Sequence, residues 1–186
     1  LLPITDNSDP LNVRKGNPGL KPSFSHNLSL RFNTFNMDSQ RGIFSHVNSS
    51  FTQNAISNKR EYDASKGVWT TTPENINGNW NVFGMFGVNT ALKWNKKFTV
   101  GAFTSARYNN NVSYITTNGA AAQKNTTTDL MLGERINGAY RNDWMEVGLN
   151  GSLEYTFEKD KLNPRNNQEP YTFSYGGNLQ FYTPWN

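Results

Sequence analysis

Met145-Glu146-Val147-Gly148-Leu149-Asn150-Gly151-Ser152-Leu153-Glu154-Tyr155-Thr156-Phe157-Glu158 alternates apolar and polar side chains with a period of two. Met145, Val147, Leu149, Leu153, Tyr155 and Phe157 share one parity; Glu146, Asn150, Ser152, Glu154, Thr156 and Glu158 share the other. Alternate side chains of a strand point to opposite faces, so this stretch is a strand with one apolar and one polar face. The next segment repeats it, with Phe173, Tyr175, Leu179 and Phe181 opposite Ser174, Gly176, Asn178 and Gln180.

Reading back towards the amino terminus gives five more such segments. About Thr127 to Tyr140, one face holds Leu130, Leu132, Ile136 and Tyr140, and the same parity places Glu134 among them. Either a bulge re-aims that carboxylate or the register is off by one. Phe98, Val100, Ala102 and Tyr108 form the fourth apolar face; Trp80, Val82, Phe86 and Val88 form the third, with Phe83 and Met85 on the opposite side. Ile43, Val47 and Phe51 form the second, and Phe24, Leu28, Leu30 and Phe32 the first. The expectation is an all-β chain of about seven antiparallel strands, each longer than the roughly 5 to 6 residues usual in soluble sheets.

The connections alternate in length. Short links fall around Met37 to Arg41, Lys93 to Lys96 and Arg141 to Asp143; long polar ones span about Asn54 to Asn77, Asn111 to Asn125 and Lys159 to Pro170. Short turns at one end, long loops at the other, and strands long enough for a tilted crossing predict a transmembrane β-barrel segment with periplasmic turns and extracellular loops. Aromatic positions agree. Trp94, Tyr140, Trp144, Tyr182 and Trp185 lie beside the short turns, while Trp80, Tyr108 and Tyr155 lie at the long-loop ends with Phe51, Phe157 and Tyr171. Two rows of amphipathic rings around an apolar band match the two membrane interfaces. A soluble sandwich would instead bury its apolar faces against a second sheet and scatter its aromatics through the core.

Composition fits this reading. The 186 residues are 35% hydrophobic but 13% aromatic and only 17% charged, and mean hydropathy is -0.73. Only alternate strand residues of a barrel meet lipid, so a low average is expected, and no apolar run approaches a membrane helix. Cysteine is absent, which removes disulfides, thiolate metal sites and a cysteine nucleophile. The net charge of +4 is too scattered for a nucleic-acid surface. The opening Leu1-Leu2-Pro3-Ile4 reads as the start of a processed or excised piece.

A turn near Met37 to Gln40 would set His26 beside Phe51 and His46 beside Arg31, on different faces, so a shared metal is not expected. No Ser-His-Asp order, HExxH or GxxxxGK is present, so neither catalysis nor a cofactor is expected. Arg31, Arg107, Arg135, Glu146 and Glu154 fall on the polar faces, which in a barrel line the lumen and contact a plug or a passing ligand.

Asp9-Pro10-Leu11-Asn12-Val13-Arg14-Lys15-Gly16-Asn17-Pro18-Gly19-Leu20-Lys21-Pro22, followed by Ser25-His26-Asn27-Leu28, resembles the Asn-Pro-x-Leu-Lys-Pro loop that precedes a barrel strand in TonB-dependent receptors. The likeness is to the branch common in the Bacteroidota, similar to starch-utilisation-type transporters. Thr72 to Trp80, Tyr140 to Trp144 and Tyr171 to Gly176 add to it. The resemblance implies a barrel of about 22 strands around an amino-terminal plug, an energy-coupling protein, a surface lipoprotein partner, and import of a bulky nutrient through the outer membrane of a Gram-negative bacterium. With about seven strands and no plug, the chain is expected to be an internal segment: residues 1–22 an extracellular loop, 23–186 partial barrel. Its partners would be outer-membrane lipid and the remaining strands. The rival readings are a secreted or surface carbohydrate-binding module and a barrel serving secretion or assembly.

Overall fold

The computed structural model describes residues 5–6, 8–116 and 121–182. Among these the chain forms eleven strands: β1 (Thr5–Asp6), β2 (Asn12–Lys15), β3 (Phe24–Asn36), β4 (Arg41–Gln53), β5 (Ala55–Asp63), β6 (Val68–Ile76), β7 (Asn79–Leu92), β8 (Asn95–Ile115), β9 (Gln123–Arg141), β10 (Met145–Asp160) and β11 (Tyr171–Phe181). Seven of them make one antiparallel sheet in the order β11-β10-β9-β8-β7-β4-β3. These are the seven segments of period two, each next to its predecessor.

The register is continuous along almost every ladder. His26 pairs with Phe51 and Arg31 with His46, so the first hairpin turns where the sequence places it and the histidines face opposite sides. The one slip, between Ala91 and Leu92, lies at the short turn into β8. β9 runs without a bulge: Glu134 pairs with Thr104 on one side and Leu153 on the other. Both sequence explanations for Glu134 are therefore corrected. The carboxylate stays on the apolar face, and the Thr104 hydroxyl donates to its Oε2 at 2.8 Å.

That apolar face has no second layer over it among the described residues. Leu28, Leu30, Phe32, Leu149, Phe173 and Leu179 are all exposed, Ile136 to 65%. A water-soluble domain rarely leaves so wide an apolar surface bare, whereas a sheet facing acyl chains requires one. No helix among the described residues is long and apolar enough to cross a membrane; the strands span it. β8 reaches 21 residues and β9 reaches 19, well beyond the roughly 9 to 11 needed for a tilted crossing. The surplus of both projects past the loop-end aromatics.

The surplus explains the main departure from sequence. The stretch 54–77, expected as a loop, is the β5–β6 hairpin, and 1–22 contributes β1 and β2. Together they form a second sheet in the order β1-β2-β6-β5, with β2 parallel to β6. β8 runs on to Ile115 and β9 begins at Gln123, so both strands extend into the stretch 111–125 that was expected as a loop. The 159–170 connection starts as β10 and holds a single 3₁₀ turn, Pro164–Asn166.

The loop sheet sits on the tip of β8. Ala55, Ile76 and Val112 form the buried cluster, with Tyr114 packed against it. Gly78, at φ 119°, turns the chain from β6 into β7, and a Cβ there would lie 2.8 Å from Val112 Cγ2. Only glycine permits both that backbone and that approach. The Asn17-Pro18-Gly19-Leu20-Lys21-Pro22 loop docks on β6: Asn17 Nδ2 donates to Pro73 O at 3.0 Å, and Asn75 Oδ1 accepts from the Lys21 amide at 2.7 Å. Pro73 is tolerated in β6 because β2 pairs only as far as Thr71, so no ladder bond is lost.

Candidate functional site

Three surfaces carry candidate function: the membrane-facing side, the polar side of the sheet, and the cleft under the loop sheet.

On the membrane-facing side the aromatics fall into two lines. At the loop end Phe51 pairs with Trp80, and Trp80 stacks on Tyr108 with ring centroids 5.0 Å apart. Tyr108 lies opposite Val82, two residues nearer the turns. Tyr155 and Tyr171, paired with each other, lie level with Leu132 and Ala106, two residues nearer again. A line that drops steadily through the register is what a horizontal interface looks like on tilted strands. At the turn end Trp94 packs on Phe98 at 5.2 Å, Phe98 on Tyr140 at 4.7 Å, and Trp144 on Phe181 at 6.3 Å. Phe98 and Phe181, which join these clusters, read in the sequence as ordinary strand residues. Tyr182 turns to the polar side, where its hydroxyl donates to Glu146 Oε2 at 2.9 Å. Trp185 lies outside the described residues.

The polar side brings Arg31, Arg107, Arg135, Glu146 and Glu154 onto one face without clustering them. Arg31, on the β3 margin, and Glu154, one strand in from the β11 margin, share one register row through His46, Met85, Ser105 and Gly133. Arg135 lies one row nearer the turns and Arg107 one row nearer the loops. Glu146 is separate, at the turn end, where Arg141 Nε donates to it at 2.6 Å. Among them runs an apolar island that alternation alone did not mark as a unit. Phe44 and Phe103 approach at 6.0 Å across Gly87, whose missing side chain leaves the space that the Phe44 ring fills. The Arg107 guanidinium lies 5.3 Å above the Phe83 ring, and Met85 follows Phe83 on the same face of β7.

The cleft has a volume of about 870 Å³ and takes its lining from all three amino-terminal and loop segments: Asn12 and Arg14 of β2, Arg60 of β5, Trp69 and Thr71 of β6, and Tyr114 of β8. The loops 54–77 and 111–125 thus meet, and 1–22 joins them. A polar relay crosses it. Asn12 Nδ2 donates to Asp9 Oδ2 at 2.9 Å, Arg60 Nη2 donates to Asn12 Oδ1 at 2.8 Å, and the Arg60 guanidinium lies 4.6 Å over the Trp69 ring. The Asn12 side chain and the Leu11 amide hold the Asp9 carboxyl below its ordinary range. Hydrogen bonds from Ser8, with a smaller contribution from Arg14, do the same for Asp6. Lys59, pushed up by Glu61 and Glu74, is neutralised by both at 3.0 and 3.5 Å.

Residues 1–174 match the outer membrane protein beta-barrel family. The chain belongs to that family. No curated protein and no solved structure matches it. Membership fixes the sides of the sheet: the apolar face meets outer-membrane lipid and the polar face looks into the barrel. The loop sheet then crowns the ends of the strands away from the short turns.

Proposed function

We propose that this chain supplies wall, lumen lining and external loops to a TonB-dependent-receptor-like transporter that imports a bulky ligand across the outer membrane. The observation that carries the reading is the apolar island on the polar face. The wall of a water-filled pore has no use for Phe44, Phe83, Phe103 and Met85 side by side, since wetting them is unfavourable. A barrel filled by a folded plug gives these rings a partner and the surrounding arginines a hydrogen-bonding surface. The crown of folded loops suits capture of a ligand before passage. In this reading β3 and β11, the two margins of the sheet, pair with further strands of the parent protein, because open edges in lipid leave backbone groups unpaired. An energy-coupling protein and a surface lipoprotein are the partners such an importer would use.

This chain has no cysteine, and single-cysteine labelling, with any cysteine elsewhere in the parent protein replaced by serine, tests the reading. In the full-length protein in native outer membranes, Phe103→Cys reacts with a membrane-impermeant maleimide at least tenfold more slowly than Ser65→Cys in the β5–β6 turn. Deleting the plug-coding segment removes that protection. Equal rates at the two positions, or a gene without a plug segment, would exclude import and leave a barrel serving secretion or assembly.

A further inference from the structure

Charge in the loop sheet is not evenly compensated. Lys59 is held by Glu61 and Glu74, and Lys66 by Asp63 at 3.6 Å. Arg14 and Arg60 are exposed, and among the described residues neither has a carboxylate oxygen within 4 Å. Asp6 lies across from Arg14 in the register, but its Oδ1 accepts the Ser8 amide at 3.0 Å. These two arginines are neighbours: Arg14 pairs with Thr71, and Thr71 with Arg60. A guanidinium, a hydroxyl and a second guanidinium therefore stand side by side on three adjacent strands, on the face that lines the cleft. With strands roughly 4.8 Å apart, the two arginine arms start about 10 Å from each other and can close on one group between them.

Arg60 is also set in place. One N–H is spent on Asn12 Oδ1, itself anchored by Asp9, and the planar group rests on Trp69. The remaining N–H donors keep their fork geometry, which matches the paired oxygens of a carboxylate, sulfate or phosphate. Bringing both guanidinium groups to one point is unfavourable unless an anion lies between them.

We infer that the cleft under the loop sheet seats an oxyanion group of the captured ligand, with Arg14 and Arg60 on either side and Thr71 donating from below. The inference rests on the loops being the capture surface of the importer, and it names the class of ligand they take: one bearing carboxylate, sulfate or phosphate groups.

The test uses purified full-length protein in detergent micelles, with equilibrium binding of three fluorescent polymers: polygalacturonate, dextran sulfate and neutral dextran. Arg14→Gln and Arg60→Gln remove one charge each inside the cleft. Lys66→Gln removes one charge in the same sheet outside it. A heat-dependent gel shift checks that every variant keeps its barrel. We expect at least one anionic polymer to bind, neutral dextran not to bind, and either arginine variant to weaken binding at least tenfold while Lys66→Gln changes it less than twofold. Binding of the carboxylated or the sulfated polymer alone identifies the kind of oxyanion. Inorganic phosphate competing at millimolar concentration where sulfate does not points to phosphate. If neither anionic polymer binds, or Lys66→Gln weakens binding as much as Arg60→Gln, the oxyanion site is wrong. Binding is measured without energy or transport, so this failure is distinct from that of the importer reading, which the Phe103→Cys labelling decides.

Discussion

The Thr104 hydroxyl donates to Glu134 Oε2 at 2.8 Å on the side of the sheet that faces lipid. Glu134 lies between Leu132 and Ile136 on its own strand and beside Leu153 on the next, inside the aromatic lines and nearer the loop-end one. A carboxyl group there has no water to replace a lost partner, so the hydroxyl matters more than its neutral counterpart at a wet surface.

Removing Thr104 alone should therefore cost more than removing the pair. We expect Thr104→Val to destabilise the barrel by about 1 to 3 kcal/mol, the usual cost of leaving a buried polar group unpaired. Thr104→Val with Glu134→Leu should recover most of that loss. Urea unfolding of the full-length protein in detergent or vesicles measures both. A double variant less stable than the single one would mean the carboxylate has another partner.

Alternation made the seven membrane strands legible because lipid enforces it. Most outward positions of the spanning sheet are apolar, with Thr104 and Glu134 a paired exception, and inward ones are free to be polar, so the period survives in the strands from Phe24 to Phe181. Above the membrane that constraint ends. The strands β5 (Ala55–Asp63) and β6 (Val68–Ile76) have water on most of both faces and only Ala55 and Ile76 buried. Their sequence, Ala-Ile-Ser-Asn-Lys-Arg-Glu-Tyr-Asp and Val-Trp-Thr-Thr-Thr-Pro-Glu-Asn-Ile, reads as polar loop. The threonine-rich run was the available signal, since β-branched residues favour extended chain. The cleft was invisible for a different reason: Arg14, Arg60 and Trp69 are brought together by a parallel pairing of β2 with β6. Parity puts the five charges Arg31, Arg107, Arg135, Glu146 and Glu154 on one face, but parity says nothing about their spacing across strands.

Gly87 and Phe44 form a second pair whose roles can be separated by mutation. The Phe44 ring occupies the space that a side chain at Gly87 would need, and it carries the contact to Phe103. Gly87→Val should displace the ring and destabilise the barrel by about 1 to 3 kcal/mol, the range for overpacking. In a Phe44→Ala background the same substitution should cost under about 0.5 kcal/mol, within the additivity error of independent sites. Equal costs in the two backgrounds would show that the glycine is needed for backbone reasons instead.

Acid should loosen the crown before the wall. The Asp9, Asp6 and Asp63 carboxyls are all held below the ordinary value of 3.8 by hydrogen bonds within their turns. A depressed folded-state pKa means that the contribution is fully present above that value and is lost as pH falls through the lower one. Hydrogen exchange of the β1-β2-β6-β5 sheet should therefore rise below about pH 4, while the heat-dependent gel shift of the barrel stays unchanged. Exchange that is flat down to pH 2 would separate these turns from the stability of the loop sheet.

Asn75 ties the 17–22 loop to the crown through one side chain. Its Oδ1 accepts from the Lys21 amide at 2.7 Å, and its Nδ2 donates to Lys21 O at 3.0 Å and to Asn54 O at 2.9 Å. Asparagine is suited to this because one planar amide both gives and accepts. Aspartate has the same shape but no donor. Asn75→Asp should then keep the first bond and break the other two, leaving two carbonyls facing a charge. We expect trypsin to cleave after Lys15 at least several-fold faster in Asn75→Asp than in the parent protein. The fold of the barrel should be unaffected, since none of the three bonds lies in the membrane-spanning sheet. Cleavage at the parent rate would show that the Asn17 bond to Pro73 O suffices to hold the loop.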